Sequence, residues 1–503
     1  MNYHGEGLYQ WDTWYCKRKG TDEVHAFYLQ YKRPGSTRTD RDADSLGHAV
    51  STNLLDWQEL PPVIPPEEPG CPGDMQSWTG STIERDGTYY MYYTIRSSAD
   101  GAKHQSIGLA MSTDLMNWTK YEGNPVIEPD GRWYNTRENP APNDLVDCRD
   151  LMVVKHPEKP GYFGVFATRI PTKELPQGSV FAGAYTEDMV HWQQTPPVYR
   201  SAQDCYSIVE MPDLFELDGK WYLTILENNA YGNREVLGEQ LLTSGTFYAV
   251  ADNVEGPYAV PEDNILMASM GFNGFSCRSV DFHGKKYMLY SMAENEGENN
   301  LKWAFGVLGT PKELKVIEGK LRACWADLLE QKLSRTLIDP RNLPTKLPFR
   351  STHETDGTWQ EQNGILRGSV QTAWCRYTFD AVGRNFLFST DITLECGVAA
   401  GLLIRQNDGH AGGVALLDFA RGQVGFFTVP RFQLVDMRNW TLQLGRKYHV
   451  KVLANREFIE VYIDDVLVLQ FVCHFTPEGR FGLLVDRGTA RFANISVREL
   501  VID

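Results

Sequence analysis

The chain holds 503 residues, of which 42% are apolar, 12% aromatic and 23% charged, with 44 Gly and 26 Pro. That length exceeds the roughly 100–200 residues of one domain, and the balance is that of a turn-rich globular protein, not a disordered, collagenous or coiled-coil one. The 49 Lys and Arg against 65 Asp and Glu leave a net charge of −16, a field that repels phosphate backbones and anionic bilayers, so neither nucleic acid nor membrane is an expected partner.

The opening residues Met1 to Gly7 have neither a basic nor an apolar stretch, and no apolar run approaches the ~18 residues of a bilayer span, so a cytoplasmic location is expected. The 9 cysteines never stand at the short spacing of a zinc knuckle. Reduced, packed thiols and a reaction without metal or other cofactor are the expectation.

One phrase recurs along the first part of the chain: Ser51-Thr52-Asn53-Leu54-Leu55-Asp56-Trp57, Ser112-Thr113-Asp114-Leu115-Met116-Asn117-Trp118 and Thr186-Glu187-Asp188-Met189-Val190-His191-Trp192. Each copy follows a strand-like run of small apolar residues. A second phrase interleaves with it, a Gly turn between alternating aromatic residues, at Asp86-Gly87, Gly161, Asp218-Gly219 and His283-Gly284. Gly accepts the positive φ of a tight hairpin, so these are hairpin signals. Hairpins recurring about every 60 to 75 residues, with almost no helical period, predict four-stranded blades set radially. The first ~320 residues then hold five blades of a β-propeller, with a β-sandwich as the alternative for this half.

From about Leu321 the texture changes. Trp325 to Leu333 has helical spacing, and Pro340, Pro344 and Pro348 follow it. Beyond lie short strand-like runs such as Asn385–Thr390, Gly401–Arg405 and Phe458–Ile463, separated by Asp, Asn and Gly turns. The expected organisation is all-β: a five-bladed β-propeller over 1–322, a linker with a short helix over 323–348, and a β-sandwich over 349–503.

A propeller's blades converge on one funnel, so acidic residues far apart in sequence can meet there. Asp12, Asp150 and Glu210 each interrupt or border an apolar, strand-like stretch. Burying a carboxylate unpaired costs several kcal/mol, so each must be paired, with Arg149, Arg278 or backbone N–H groups as candidates, or be functional. Trp11, Trp14, Trp78 and Trp303 are expected to wall the funnel, where aromatic faces suit sugar rings. Trp57, Trp118 and Trp192 read as packing. Two loops longer than a minimal turn, Asn135–Asp144 and Gly271–Ser276, are further candidates to border the funnel.

These passages resemble glycoside hydrolase family 32, the β-fructofuranosidases. Ala26-Phe27-Tyr28-Leu29-Gln30-Tyr31, Gly47-His48-Ala49-Val50, Trp78-Thr79-Gly80-Ser81, Arg149-Asp150 and Glu210 with Pro212-Asp213-Leu214-Phe215 match its segments in order, and Ala400–Arg405 and Glu460–Asp465 resemble its second domain. The resemblance implies Asp12 as nucleophile, Glu210 as general acid/base and Asp150 as the carboxylate that holds sugar hydroxyls and stabilises the transition state. It extends the sugar-binding set to Gln30, His48, Ser81 and Arg149. Strict strand alternation points Arg149 away from Asp150, so a local bulge is required if both serve the site. An ion pair between Arg149 and one of the carboxylates is an equal reading.

Four places depart from the family pattern: Trp11-Asp12-Thr13-Trp14-Tyr15 around the nucleophile, Leu151 after Arg-Asp, Met211 after the acid/base, and Leu46 before Gly-His. They are expected beside the sugar subsite, where they would admit an unusual fructoside. Retention implies carboxyls ~5–5.5 Å apart, against ~6.5–9.5 Å in an inverting arabinofuranosidase or xylosidase of the same clan. The substrate implied is a short fructose-containing oligosaccharide, with hydrolysis or transfer as the outcome. A catalytically idle sugar-binding protein is the reading from a different class. The second domain is the expected surface for any self-association.

Overall fold

The computed structural model describes residues 3–172, 178–201, 209–236, 239–270, 274–295, 303–344, 357–408 and 411–502, with the backbone alone at 228–236, 239–242, 293–295 and 303–305. Two compact units divide the chain. The first comprises Met1–Ala230, Thr243–Met267 and Gly274–Leu321, and the second Tyr231–Leu242, Ala268–Asn273 and Arg322–Asp503. No helix among the described residues is long and apolar enough to cross a membrane.

The first unit is a β-propeller. Four antiparallel sheets of four strands stand separately, led by Leu8–Lys17, Trp78–Arg85, Cys148–Lys155 and Glu210–Leu217. The sequence predicts five blades, and four separate sheets are found. The strands expected to form a fifth, Phe275–Phe282, Lys285–Asn295, Trp303–Leu308 and Lys312–Ile317, pair with one another within a larger sheet. The reason is local: Lys285–Asn295 shares one edge between two short strands, Trp303–Leu308 along its end and Lys312–Ile317 near its start. A split third strand leaves edge groups open to further pairing.

The five leading strands pack in a ring, each against the next, with Phe275–Phe282 returning to Leu8–Lys17. Each carries the same irregularity. Two residues stand opposite one on the neighbouring strand at Asp12-Thr13, Thr79-Gly80, Asp150-Leu151, Met211-Pro212 and Ser276-Cys277. The first residue of the bulge is left-handed at Asp12 (φ 45°), Asp150 (φ 62°), Met211 (φ 53°) and Ser276 (φ 54°). A bulge of this kind re-aims side chains and is a device of functional sites.

The recurrent Ser/Thr…Trp phrase is a repeated turn. Ser51 Oγ accepts from Leu54 N (2.9 Å), Ser112 Oγ from Leu115 N (2.9 Å) and Thr186 Oγ1 from Met189 N (3.1 Å). Asn53, Asp114 and Asp188 each accept two further backbone N–H groups through Oδ1. Side chains that satisfy the backbone this way specify a turn without help from the rest of the fold. The closing Trp then bridges sheets, Trp118 standing edge-on to Phe27 (5.8 Å) and Trp192 to Tyr92 (5.5 Å).

The second unit is also all strands. The many short strands expected there are in part three long ones, Ile365–Gly383, Phe386–Gln406 and Gly479–Leu500. Register shifts at Ser389/Asp391, Leu394/Cys396 and Leu403/Gln406 break the alternation without ending the strand, which is why the pattern reads as fragments. Leu402, Ile404, Ala415, Leu417, Leu483 and Val485 face one large core. The expected helix after Trp325 is a 3-10 turn over Asp327–Lys332, and a single helical turn, Asp40–Asp44, capped by Thr39, arises where none was predicted.

A Cβ placed on Gly80 would stand 1.8 Å from the Tyr92 carbonyl oxygen. Gly80→Ala is therefore expected to lower stability by about 1–3 kcal/mol or more, read from urea unfolding, because the contact is backbone and cannot rotate away.

Candidate active site

The bulges bring the three carboxyl residues together. Asp12 is half-buried, and its carboxylate accepts a hydrogen bond from Thr79 Oγ1 (3.0 Å) and a short one from Ser276 Oγ. Both donors are first residues of neighbouring bulges. Asp150 is buried; its Oδ2 accepts from Met211 N (3.0 Å), and its own N–H donates to Thr94 Oγ1 (3.2 Å). Glu210 is partly open, its side chain 32% exposed.

Arg149 ties them. Nη2 lies 2.6 Å from Glu210 Oε1, Nε 4.0 Å from Asp150 Oδ2, and Nη1 donates to Gln105 Oε1 (3.2 Å) and, at short range, to Asp147. Asp147 is gripped from its other side by Arg169 Nε (2.8 Å). The bulge that strict alternation demands is present at Asp150, and the ion-pair reading of Arg149 holds as well. Burial opposes the Arg149 charge, but Glu210, Asp147 and Asp150 together hold its pKa above the ordinary arginine value.

Two of the carboxyls are also raised, which for them favours the neutral form. Burial pushes Asp12 up to about 6, the charge of Glu210 adding to it and the Ser276 and Thr79 hydroxyls and Arg278 opposing it. Burial pushes Asp150 up to about 7, with Glu210 and Asp12 adding and Arg149 opposing. Two buried aspartates that both feel the charge of Glu210 must lie close to it in a region of low polarity.

Beneath them lies Arg278, 1% exposed. It donates to the Pro212 and Gly80 carbonyls (Nη2 to Gly80 O, 3.5 Å), which belong to second residues of two bulges. Its charge also faces Asp213, Asp150 and Asp12. Sequence reading offered Arg278 only as a pairing partner and missed Thr79, Thr94 and Ser276 as ligands of the site. Ser276 ends the second long loop suspected of bordering the funnel; residues 271–273 of that loop lie outside the described ones.

The predicted sugar-binding residues divide. Trp11 and Trp78 are half-buried, Trp11 edge-on to Tyr31 (5.0 Å) and Trp78 under the Arg96 guanidinium (3.8 Å). Trp14 is a core residue, 2% exposed, its Nε1 donating to Thr82 Oγ1 (3.1 Å). His48 is fully buried, paired with His25 (2.8 Å), stacked on Phe27 and pushed down to about 3 by burial, so it is not brought to the carboxylates. Gln30 is buried and donates to the Asp42 (2.7 Å) and Ser45 (3.3 Å) carbonyls, holding the short helix instead of Asp12. Ser81 is buried two residues after Thr79. Trp303 lies in the strand Trp303–Leu308, and its side chain falls outside the described ones.

At the four departures, Leu46 and Leu151 are 0% exposed and Met211 and Trp14 2%, so these side chains are core, while Trp11 beside Asp12 is half-buried. Leu151 and Met211 directly follow Asp150 and Glu210 within the bulged strands. Among the described residues, no group of three or more His, Cys, Asp or Glu is arranged to hold a metal ion.

A β-propeller with carboxyls and arginines gathered at bulges of its leading strands is the class that fold and site define. The chain belongs to glycosyl hydrolases family 32, whose N-terminal domain model matches residues 19–323. Fructan beta-fructosidase of Streptococcus mutans is 26% identical over 162 residues, covering 28% of this chain and 11% of that protein, so the chain spans a small part of that relative's length. Levanbiose-producing levanase of Bacillus subtilis is 24% identical over 95% of this chain and 86% of its own. Exo-inulinase of Aspergillus awamori shares the fold, with a TM-score of 0.69 at 16% identity over 99% of this chain and 97% of that one.

The raised Asp150 sets a pH dependence of stability. Its folded value is about 7 against 3.8, so between these pH values the native state binds more protons than the unfolded one, and stability falls as pH rises. Asp150→Asn removes this slope while keeping an acceptor for Met211 N–H. The variant is expected to match the wild type near pH 4 and exceed it near pH 8 by an amount on the order of a few kcal/mol, measured by denaturant unfolding at both pH values.

Proposed function

We propose that the protein is a glycoside hydrolase that releases or transfers β-fructofuranosyl units of short fructose-containing oligosaccharides with retention of configuration. In this reading Glu210 gives a proton to the glycosidic oxygen while Asp12 bonds to the anomeric carbon, forming a glycosyl-enzyme. Glu210 then takes a proton from the incoming water or sugar hydroxyl, which displaces Asp12. Asp150 holds ring hydroxyls and stabilises the positive charge of the oxocarbenium-like transition state.

The observation that carries this reading is that three different leading strands bring Asp12, Asp150 and Glu210 together, the charge of Glu210 acting on both aspartates and Arg149 reaching Glu210 and Asp150. The division of roles follows their surroundings. Asp12 has one oxygen held by Thr79 and the other by Ser276, the preorganisation that a nucleophile needs. Glu210, its side chain 32% exposed, stands where a leaving group can depart, and a bound sugar oxygen competes with Arg149 Nη2 for it. Trp11 and Trp78 offer half-exposed aromatic faces beside Asp12 and Thr79. The fructosidase and levanase relatives support the substrate class.

The same reading assigns catalysis to residues 1–322, with the strands from Phe275 to Ile317 acting as a fifth blade, which the closed ring of five leading strands supports. Residues 323–348 link it to a β-sandwich over 349–503, supported by the two-sided alternation of its strands.

The test is turnover of sucrose, inulin-type and levan-type oligosaccharides and arabino-oligosaccharides, with the anomeric form of the first product followed by NMR. Asp12→Asn and Glu210→Gln are each expected to lose at least ~10²–10⁴-fold in kcat, and added azide to accelerate the Glu210 variant. Near-wild-type turnover in either variant removes the assignment, and an inverted first product removes the double displacement.

A further inference from the structure

The second unit carries a recess that the catalytic reading does not use. Along its strands the residues alternate between two faces. Leu402, Ile404, Ala415, Leu417, Leu483 and Val485 enter the main core, whereas Leu403, Val414, Leu416 and Leu484 form a second, smaller cluster on the opposite face. A sheet face turned away from the core is normally polar, so an apolar cluster there marks a surface with a task.

That cluster floors a cavity of about 670 Å³, within the roughly 300–1,000 Å³ of small-molecule sites. Leu416 and Leu484 lie at its base, and three half-buried aromatic residues, Trp374, Phe427 and Phe432, stand around it. Trp374 is edge-on to Phe432 (5.6 Å), and Phe427 is 6.4 Å from the same ring. The rim bears two ion pairs, Arg421 with Asp418 (3.5 Å) and Arg487 with Asp486, the latter through Nε–Oδ1 and Nη2–Oδ2, both 3.0 Å.

The backbone is bent to make this place. Ala373, Phe432 and Arg487, all lining the recess, are left-handed at φ 56°, 49° and 42°. Three residues, 371–373, stand opposite Arg487 alone before the register resumes at Trp374 with Asp486. Such irregularity without glycine persists where the surroundings hold a particular arrangement.

The chemistry selects the ligand. Rim charges paired within the recess present donors and acceptors side by side with no net charge, which suits vicinal hydroxyls and disfavours an anion or cation. Aromatic faces above an apolar floor suit the C–H faces of sugar rings. We propose that this recess is a non-catalytic binding site for a short, neutral stretch of oligosaccharide. Only the choice of fructose-containing sugars as first probes rests on the catalytic reading.

The experiment uses the full chain bearing Asp12→Asn, titrated calorimetrically with inulin-type, levan-type, malto- and xylo-oligosaccharides. Two classes of site are expected for at least one sugar series. Trp374→Ala should weaken one class at least tenfold, Trp374→Tyr should largely restore it, and the thermal unfolding of both should stay close to that of their parent. In the otherwise wild-type chain, Trp374→Ala should leave kcat on a short substrate within twofold. Sugar binding that Trp374→Ala leaves unchanged in a folded protein overturns the proposal, as does a second copy occupying the recess, seen as self-association that Trp374→Ala abolishes. Loss of turnover in the wild type alongside Trp374-dependent binding would remove the catalytic reading and leave this one standing.

Discussion

Two residues facing one on each leading strand is the constraint on which the site depends. In an unbroken strand Arg149 and Asp150 point to opposite faces, and only one of them can serve the axis. The left-handed turn at Asp150 cancels that opposition and lets a guanidinium and a carboxylate meet the same group, Glu210. The same turn at Asp12 and Ser276 puts a carboxylate and a hydroxyl in contact across a ring of strands that share no ladder there. Arg278 then uses the carbonyls at Pro212 and Gly80, which the bulges turn away from their ladders, as acceptors. Geometry and hydrogen bonding are therefore fixed by the same local irregularity, repeated five times.

Electrostatics follows from that geometry. Burial pushes Asp12 and Asp150 up to about 6 and about 7, with the charge of Glu210 adding at both. What limits the rise at Asp12 is the pair of hydroxyls from Ser276 and Thr79 with the buried charge of Arg278, and at Asp150 the planar fork of Arg149, which reaches Asp147, Glu210 and the vicinity of Asp150 at once. A lysine has one point of charge and cannot span these partners. Asp147 and Arg169 in turn hold Arg149 in its place, so the outer pair fixes the orientation of the guanidinium. The cluster is a balance of opposite charges in which removing Arg149 would leave buried carboxylates uncompensated.

The parts of the fold most legible in the sequence are those specified by local hydrogen bonds. The Ser/Thr…Trp phrases could be recognised because each turn is closed by its own side chains within a few residues. The bulge at Asp150 could be anticipated because the Arg-Asp pair contradicts alternation. Ser276 could not be assigned to Asp12, since 264 residues separate them and only ring closure brings them together. The fifth group of strands is only partly legible for a similar reason: its hairpin signal at His283-Gly284 is genuine, but the pairing of the next strands is decided by which edge is free. His48 and Gln30 sit in a recognisable segment whose task is to hold the first sheet and its short helix, as the His25 pair and the Asp42 and Ser45 carbonyls show.

The departures around the carboxylates acquire a different meaning from their burial. Leu46, Leu151, Met211 and Trp14 are buried, and the last three stand in or next to the bulges, so they act on the position of the bulges. Packing that is close to crystalline transmits such changes, because a side chain added under a strand must displace its neighbours. The groups that remain accessible are the half-exposed rings of Trp11 and Trp78, the partly exposed carboxylate of Glu210 and the guanidinium of Arg96 over Trp78. Two of these four, Trp11 beside Asp12 and Trp78 beside Thr79, stand on the strands that supply the Asp12 carboxylate and one of its donors. A shift in the packing beneath Asp12 therefore moves the exposed rings and the carboxylate together.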